Sequence, residues 1–245
     1  MILEKPKLLF IHIPRTGGSS IENFFNFCPC APMNKKESQY STLEESKEYC
    51  KIENYFKFTI VRNPWDRLLS WFLWSYAEVI YYQYISERGE HPQDGKKGRA
   101  RAWAKGRKLL NDKKNRFVDQ KLFLKFKTSF SSFIERLEGQ SNLNADPRYD
   151  SIGALENRLY GRWIMPQSMW IESSGKIEMD YICKFEKLKI DFNIILRKHG
   201  IEAKPLEQTG KIYHKPDYRK FYTKRNQEII NRLYEEDIKR FKYDF

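Results

Sequence analysis

One junction constrains this chain more than any other. The compact apolar run Lys7 to Ile13 passes directly into PRTGGSS at 14–20, and then into an apolar helical face at Ile21, Phe24, Phe25 and Phe27. A strand, a Gly-containing loop and a helix in that order form an anion-binding unit. The N–H groups that open a helix have no intrahelical partner, and the helix dipole adds about half a positive charge there. Gly17 and Gly18 let the backbone approach a phosphate closely, Thr16, Ser19 and Ser20 add hydroxyl donors, and Arg15 adds a permanent charge. The nucleotide-hydrolysing string GxxxxGK[ST] is missing: no Gly stands five residues before Gly18, and no Lys-Ser/Thr follows it. Ordinary ATP or GTP hydrolysis is thereby disfavoured. A phosphate-like ligand and a turn that merely starts a helix both remain open.

Further along, Phe56 to Val61 reads as a second strand. Arg62 and Asn63 end it, Asn63 suits an N-cap and Pro64 a first helical position, and Trp65 to about Tyr84 is apolar on nearly every side. Thr42 to Tyr49 and Phe130 to Leu137 are helix candidates. Asp180 to Phe185 reads as a third strand, Leu188 to His199 as a helix stopped by Gly200, and Lys224 to Phe241 as one final amphipathic helix. Strands alternating with helices predict an α/β fold with a mainly parallel sheet. The 245 residues suit one domain, spanning 1–245, with an insertion at about 85–127.

Composition excludes some classes of protein. Hydrophobic residues make up 40% and aromatics 16%, which argues against disorder. No apolar run nears the roughly 20 residues that span a bilayer, so a cytoplasmic protein without a membrane span is expected. Cys28 and Cys30 are too closely spaced for the usual metal pair, so free thiols and no metal are expected of the four cysteines. The net charge of +13 favours acidic ligands: phosphates, sulfates, nucleic acid or acidic polymers. It is concentrated: residues 96–127 hold thirteen Lys or Arg against two acids, interleaved with Trp103, Phe117, Phe123 and Phe126. That stretch suits an anionic partner or a solvent-washed helical pair equally well. Aromatics among basic residues also fit single-strand nucleic-acid binding in composition, but no helix-turn-helix, zinc-finger or RNP-like string is present.

HIPRTGGSS, joined to FKFTIVRNPWDRLLSWF downstream, resembles the sulfotransferase superfamily, and most closely its carbohydrate (family 2-like) branch. WIMPQSMW at 163–170, YICKFEKL at 181–188 and the closing YEEDIKRFKYDF extend the similarity. The resemblance implies a P-loop-like three-layer α/β fold with a mainly parallel central sheet flanked by helices. It implies transfer of a sulfuryl group from 3′-phosphoadenosine 5′-phosphosulfate (PAPS) to an acceptor hydroxyl or amine, leaving the bisphosphate PAP and calling for no metal. The acceptor would be a saccharide, an anionic one suiting the positive charge. Arg15, Thr16, Gly17, Gly18, Ser19 and Ser20 would cradle the 5′-phosphosulfate, and Arg62 and Ser70 the 3′-phosphate, with Ser70 about two turns into its helix. Tyr213, Arg219 and Tyr222, in the basic stretch at 211–225, would contact the 3′-phosphate or adenine.

The family usually has Lys where Arg15 stands, so the geometry at the leaving phosphate must differ. That departure keeps a nucleotide-binding but catalytically altered relative in view. For the general base, the resemblance points to the SQYSTLEES stretch, where Tyr40, Glu44 and Glu45 are candidates and Glu44 or Glu45 is preferred. His12 is a catalytic candidate or a structural residue that orients the loop. His199, at the end of a helix, suits a cation facing the dipole, while His91 lies in the insertion and His214 in the basic C-terminal loop. Arg67 suits a phosphate contact or an ion pair with Asp66 or another acid, and Gln167 suits either the acceptor cleft or packing support.

Overall fold

The computed structural model describes residues 1–25, 40–75, 120–138, 162–207 and 217–245, with scattered positions between 77 and 108. In chain order the elements are β1 (Ile2–Leu3), β2 (Leu8–Ile11), α1 (Gly18–Phe25), α2 (Leu43–Tyr49), β3 (Phe56–Val61), α3 (Pro64–Ser75) and α4 (Gln120–Glu138). There follow α5 (Ser168–Ile171), β4 (Glu172–Ser173), β5 (Lys176–Ile177), β6 (Tyr181–Lys184), α6 (Leu188–Lys198), α7 (Lys224–Leu233) and α8 (Glu235–Phe241). Short 3-10 turns occupy Arg162–Ile164, Phe185–Lys187 and Tyr218–Phe221. Cys28, Cys30, His91, Tyr213, His214 and most of the basic insertion lie outside the described residues.

The chain divides into two compact units. The first comprises 1–67, 165–210 and 234–244; the second comprises 68–164, 211–233 and Phe245.

The first unit is a mixed α/β layer structure. Its sheet has the order β1-β2-β3-β6, in which only the short β1 runs antiparallel. Every residue of β2 is buried, as expected of a parallel strand covered on both faces. Side chains of a strand alternate between faces. Leu8, Phe10, Phe58 and Ile60 therefore pack with Ile21 of α1 and with Phe192, Ile195 and Leu196 of α6. Leu9, Ile11 and Val61 pack on the other face with Leu43 of α2, Trp170 and Ile171 of α5 and Phe241 of α8. Each such large side chain contributes roughly 1.5–3 kcal/mol by leaving water. Ile11 pairs with Thr59, and Val61 with Lys184. The loops leaving β2, β3 and β6 thus emerge side by side at the C-terminal edge, where open parallel sheets bind ligands.

The second unit is helical where it is described. Trp71 and Phe72 of α3 meet Phe133 of α4, and Phe72 also meets Phe130, with ring centroids 4.9–5.5 Å apart. Tyr222 packs edge-on to Phe130 at 5.1 Å. Helix α4 begins ten residues before the expected Phe130, since no Gly or Pro interrupts 120–138.

Two other expectations need correction. The single helix expected over 224–241 is two helices, broken at Tyr234, whose backbone leaves the helical region (φ −118°, ψ 25°). Cys50 is disulfide-bonded, so free thiols hold for the buried Cys183 but not for Cys50. His199 is the C-terminal cap of α6. Its Nε2 is buried without a hydrogen-bond partner, its ring meets Phe56 edge-on at 4.7 Å, and burial, with Lys198 nearby, lowers its pKa.

Candidate active site

The loop after β2 is shaped by backbone conformation before any side chain acts. Arg15 and Gly17 both sit at positive φ, 67° and 92°. The first is an unusual conformation for a side-chain-bearing residue, and the second is one glycine adopts freely. Thr16 donates its hydroxyl to the Ile13 carbonyl at 2.8 Å, and Ser20 N–H closes the first turn on the Gly17 carbonyl at 3.1 Å. A Cβ on Gly17 would press on Phe185 at 3.0 Å, and one on Gly18 would lie 2.2 Å from His12 Cδ2. The bare backbone at 17–18 therefore has two causes, one conformational and one steric.

His12 is the residue that Gly18 must clear. It is buried, with its ring stacked on Phe10 (centroids 5.6 Å apart) and tilted against Tyr40 (4.8 Å). Its Nδ1 meets Glu22 Oε1 of α1 at 2.5 Å. Tyr40 closes the cluster; burial first, then the charge of Glu22, pushes its hydroxyl pKa up to about 12, with Arg15 pulling the other way. Glu22 carries no motif label in the sequence. Its place one turn into α1, on the side facing the preceding strand, is the signal that was available.

Arg62 and Arg67 bind this loop to the end of β3. Arg62 Nη1 donates to the Arg15 carbonyl at 2.9 Å. Its Nε and Nη2 grip Asp66 Oδ2 at 2.8 and 2.6 Å, and its guanidinium lies 4.0 Å from the centre of the Phe185 ring. Burial lowers its pKa to about 10 despite the nearby charge of Glu186. Arg67 is held by backbone carbonyls, with the charge of Asp237 acting on it. Its Nε donates to the Pro14 carbonyl and its Nη1 to the Met165 carbonyl, each at 3.0 Å. Asp66 is the acid that Arg62 holds. Asn63 caps α3 as expected, its Oδ1 accepting Asp66 N–H at 3.2 Å, while its own N–H donates to Glu186 at 2.8 Å. Phe185 thus walls both Gly17 and Arg62, a role that no local sequence rule assigns.

The remaining named residues fall as follows. Ser19 is half-buried and Ser20 buried at the start of α1. Glu44 is exposed in the first turn of α2. Glu45 closes a capping box, its carboxylate accepting Thr42 N–H at 2.8 Å and its own N–H donating to Thr42 Oγ1 at 3.3 Å. That carboxylate holds a helix end. Gln167 is fully buried and bonded to the Arg62 peptide, so it is support and not a cleft residue. Ser70, buried, and Arg219 and Tyr222 belong to the second unit. There Arg219 is exposed, 3.4 Å from Asp217 and stacked over Tyr218 at 4.8 Å. No group of three or more metal-ligating side chains occurs among the described residues, and no described helix is long and apolar enough to cross a membrane.

Chemically, the first unit offers backbone N–H groups, a loop arginine and a buried second arginine around one strand edge. A model of the sulfotransferase family matches residues 1–244. No curated protein and no solved structure matches the chain.

Proposed function

The chain belongs to the sulfotransferase family, and on that premise we propose that it moves a sulfuryl group from PAPS to a hydroxyl or amine of an acceptor. A carbohydrate or polysaccharide is the acceptor in this reading, and the surplus of positive charge at 96–127 favours an anionic one. The fold is read as P-loop-like on the strength of the β2–loop–α1 unit.

The observation that carries the proposal is the hydrogen bond from Arg62 to the Arg15 carbonyl. It ties two anion cradles, built at adjacent strand-to-helix junctions, into one body. The residues fit a phosphosulfate: the backbone at Gly17 and Gly18 is bare where a Cβ would collide, and the start of α1 supplies N–H donors. Three N–H groups of Arg62 are spent on Asp66 and Arg15, so two of the five that a guanidinium carries remain for a phosphate.

PAPS, when bound, supplies the sulfuryl group on a phosphate leaving group. Arg15 counters the charge that develops there, as a fixed planar cation in place of the family's usual lysine. Arg62 holds the 3′-phosphate by charge-assisted hydrogen bonds. His12, clamped by Glu22, holds the loop in place under Gly18. The products are a sulfated acceptor, PAP and the acceptor's proton, with catalysis resting on positioning and charge stabilisation.

Calorimetric titration with 3′,5′-adenosine bisphosphate, ATP and single-stranded DNA tests the reading. The bisphosphate should bind best. Arg62→Ala should weaken it about tenfold or more, the scale of a lost charged hydrogen bond of about 1.5–3 kcal/mol. Preference for DNA, with no effect of Arg62→Ala, would favour a basic nucleic-acid-binding protein instead. A wild type that binds bisphosphate without turnover and gains turnover on Arg15→Lys would be a catalytically altered relative.

A further inference from the structure

At the end of β3 the strand ladder gives out. Val61 is the last residue in register with β6, and Arg62 stands one beyond it. A side chain takes over at that point. Gln167 Oε1 accepts Arg62 N–H at 2.8 Å, and Gln167 Nε2 donates to the Arg62 carbonyl at 2.8 Å. One amide thus satisfies both polar groups of one peptide position, as a neighbouring strand would.

Gln167 is itself held. Asp237 of α8, fully buried, accepts Gln167 N–H at 2.6 Å and Gln167 Nε2 at 3.3 Å through one oxygen, and Ser168 N–H at 2.8 Å through the other. A buried carboxylate is tolerated only when so satisfied. The result is a chain of fixed contacts, Asp237 to Gln167 to the Arg62 peptide, with Gln167 and Asp237 at 0% exposure and Arg62 at 7%. Arg67 reinforces it from the same side, joining Met165 to Pro14 of the loop.

The direction of a guanidinium follows from the backbone that carries it. A displacement of about 1 Å at a binding group can cost a hundredfold in rate. We infer that Gln167, seated on Asp237, is a positioning residue that fixes the Arg62 peptide and so aims the Arg62 guanidinium at the 3′-phosphate end of the donor. This rests on the proposed donor reading. Gln167 does not touch donor or acceptor; its effect passes through Arg62.

The test uses the full chain and the bisphosphate as probe. Gln167→Met keeps the length and volume of the side chain while removing both amide contacts. It should weaken bisphosphate binding about tenfold and raise the donor KM by a similar factor, with acceptor KM unchanged. Placed on Arg62→Ala, the same change should cost almost nothing more, because its route is already gone. A Gln167→Met protein that binds like the wild type overturns the inference, as does an equal loss in both backgrounds. Hydrogen exchange of the Arg62 amide in the wild type needs no variant: protection like that of the β3 interior is expected, and rapid exchange would overturn the inference. A wild type that fails to bind the bisphosphate sinks the donor reading, whereas normal wild-type binding with an indifferent Gln167 sinks only the positioning role.

Discussion

Gly18 shows how much a single position can owe to a distant contact. The loop reading explains a small residue there as access for a phosphate, yet the nearest obstacle to a side chain is the His12 ring, 2.2 Å from where a Cβ would stand. That ring cannot retreat easily. Phe10 and Tyr40 lie against it and Glu22 holds Nδ1. Gly18→Ala is expected to cost about 1–3 kcal/mol by overpacking and to lower bisphosphate affinity as the loop shifts. Thermal unfolding and calorimetry on the variant check this; an unchanged melting temperature would mean that the ring yields freely. Arg62 teaches a similar lesson. Its position after a strand was visible, but its partners, Asp66, the Arg15 carbonyl and the Phe185 face, were not. Burial then makes it a costlier cation than an exposed arginine, which suits a group meant to meet another anion.

Among the elements, those with strong local signals came out close to their expected limits. The strand over Phe56–Val61 has the expected limits, because an apolar run bounded by Arg62-Asn63-Pro64 leaves little freedom. Helix α2 follows from Thr42 and Glu45, the two halves of a capping box. That box gives Glu45 a structural role beside the expected one of a base. Gln at 45 keeps an acceptor for Thr42 N–H, so Glu45→Gln should retain stability and turnover, while Thr42→Ala should cost about 1 kcal/mol. Turnover assays beside thermal melts separate the roles: loss of turnover in a stable Glu45→Gln protein would support the base reading. The break between α7 and α8 had a weaker signal. No Gly or Pro marks Tyr234, but Arg232 in the last turn of one helix and Glu235, Glu236 and Asp237 in the first turn of the next follow the dipole preference of a stop and a new start. The break matters, since it begins the helix that carries Asp237 to Gln167.

For the whole molecule, sequence distance and spatial distance part company. The first unit draws on three separate stretches of chain. A disulfide at Cys50 is likewise a fact of the folded chain, and disulfides persist in oxidising compartments. Alkylation of the denatured, unreduced protein should therefore modify Cys183 and spare Cys50 until reductant is added; mass spectrometry of the Cys50 peptide reads the result, and immediate labelling would show a free thiol. What the sequence determined alone was local. Apolar periodicity set the strands, the two glycines and the helix start set the loop, and Asn63-Pro64 set the head of α3, because each depends on neighbours within a few residues. Only the tertiary structure decided which groups meet. The parallel pairing of β2 with β3 laid Arg15 beside Arg62, and the folding back of 165–168 and 235–241 delivered Gln167 and Asp237 beneath them. Those contacts are set by burial and by hydrogen-bond satisfaction across 47 to 105 residues of chain, for which no local pattern exists to be read.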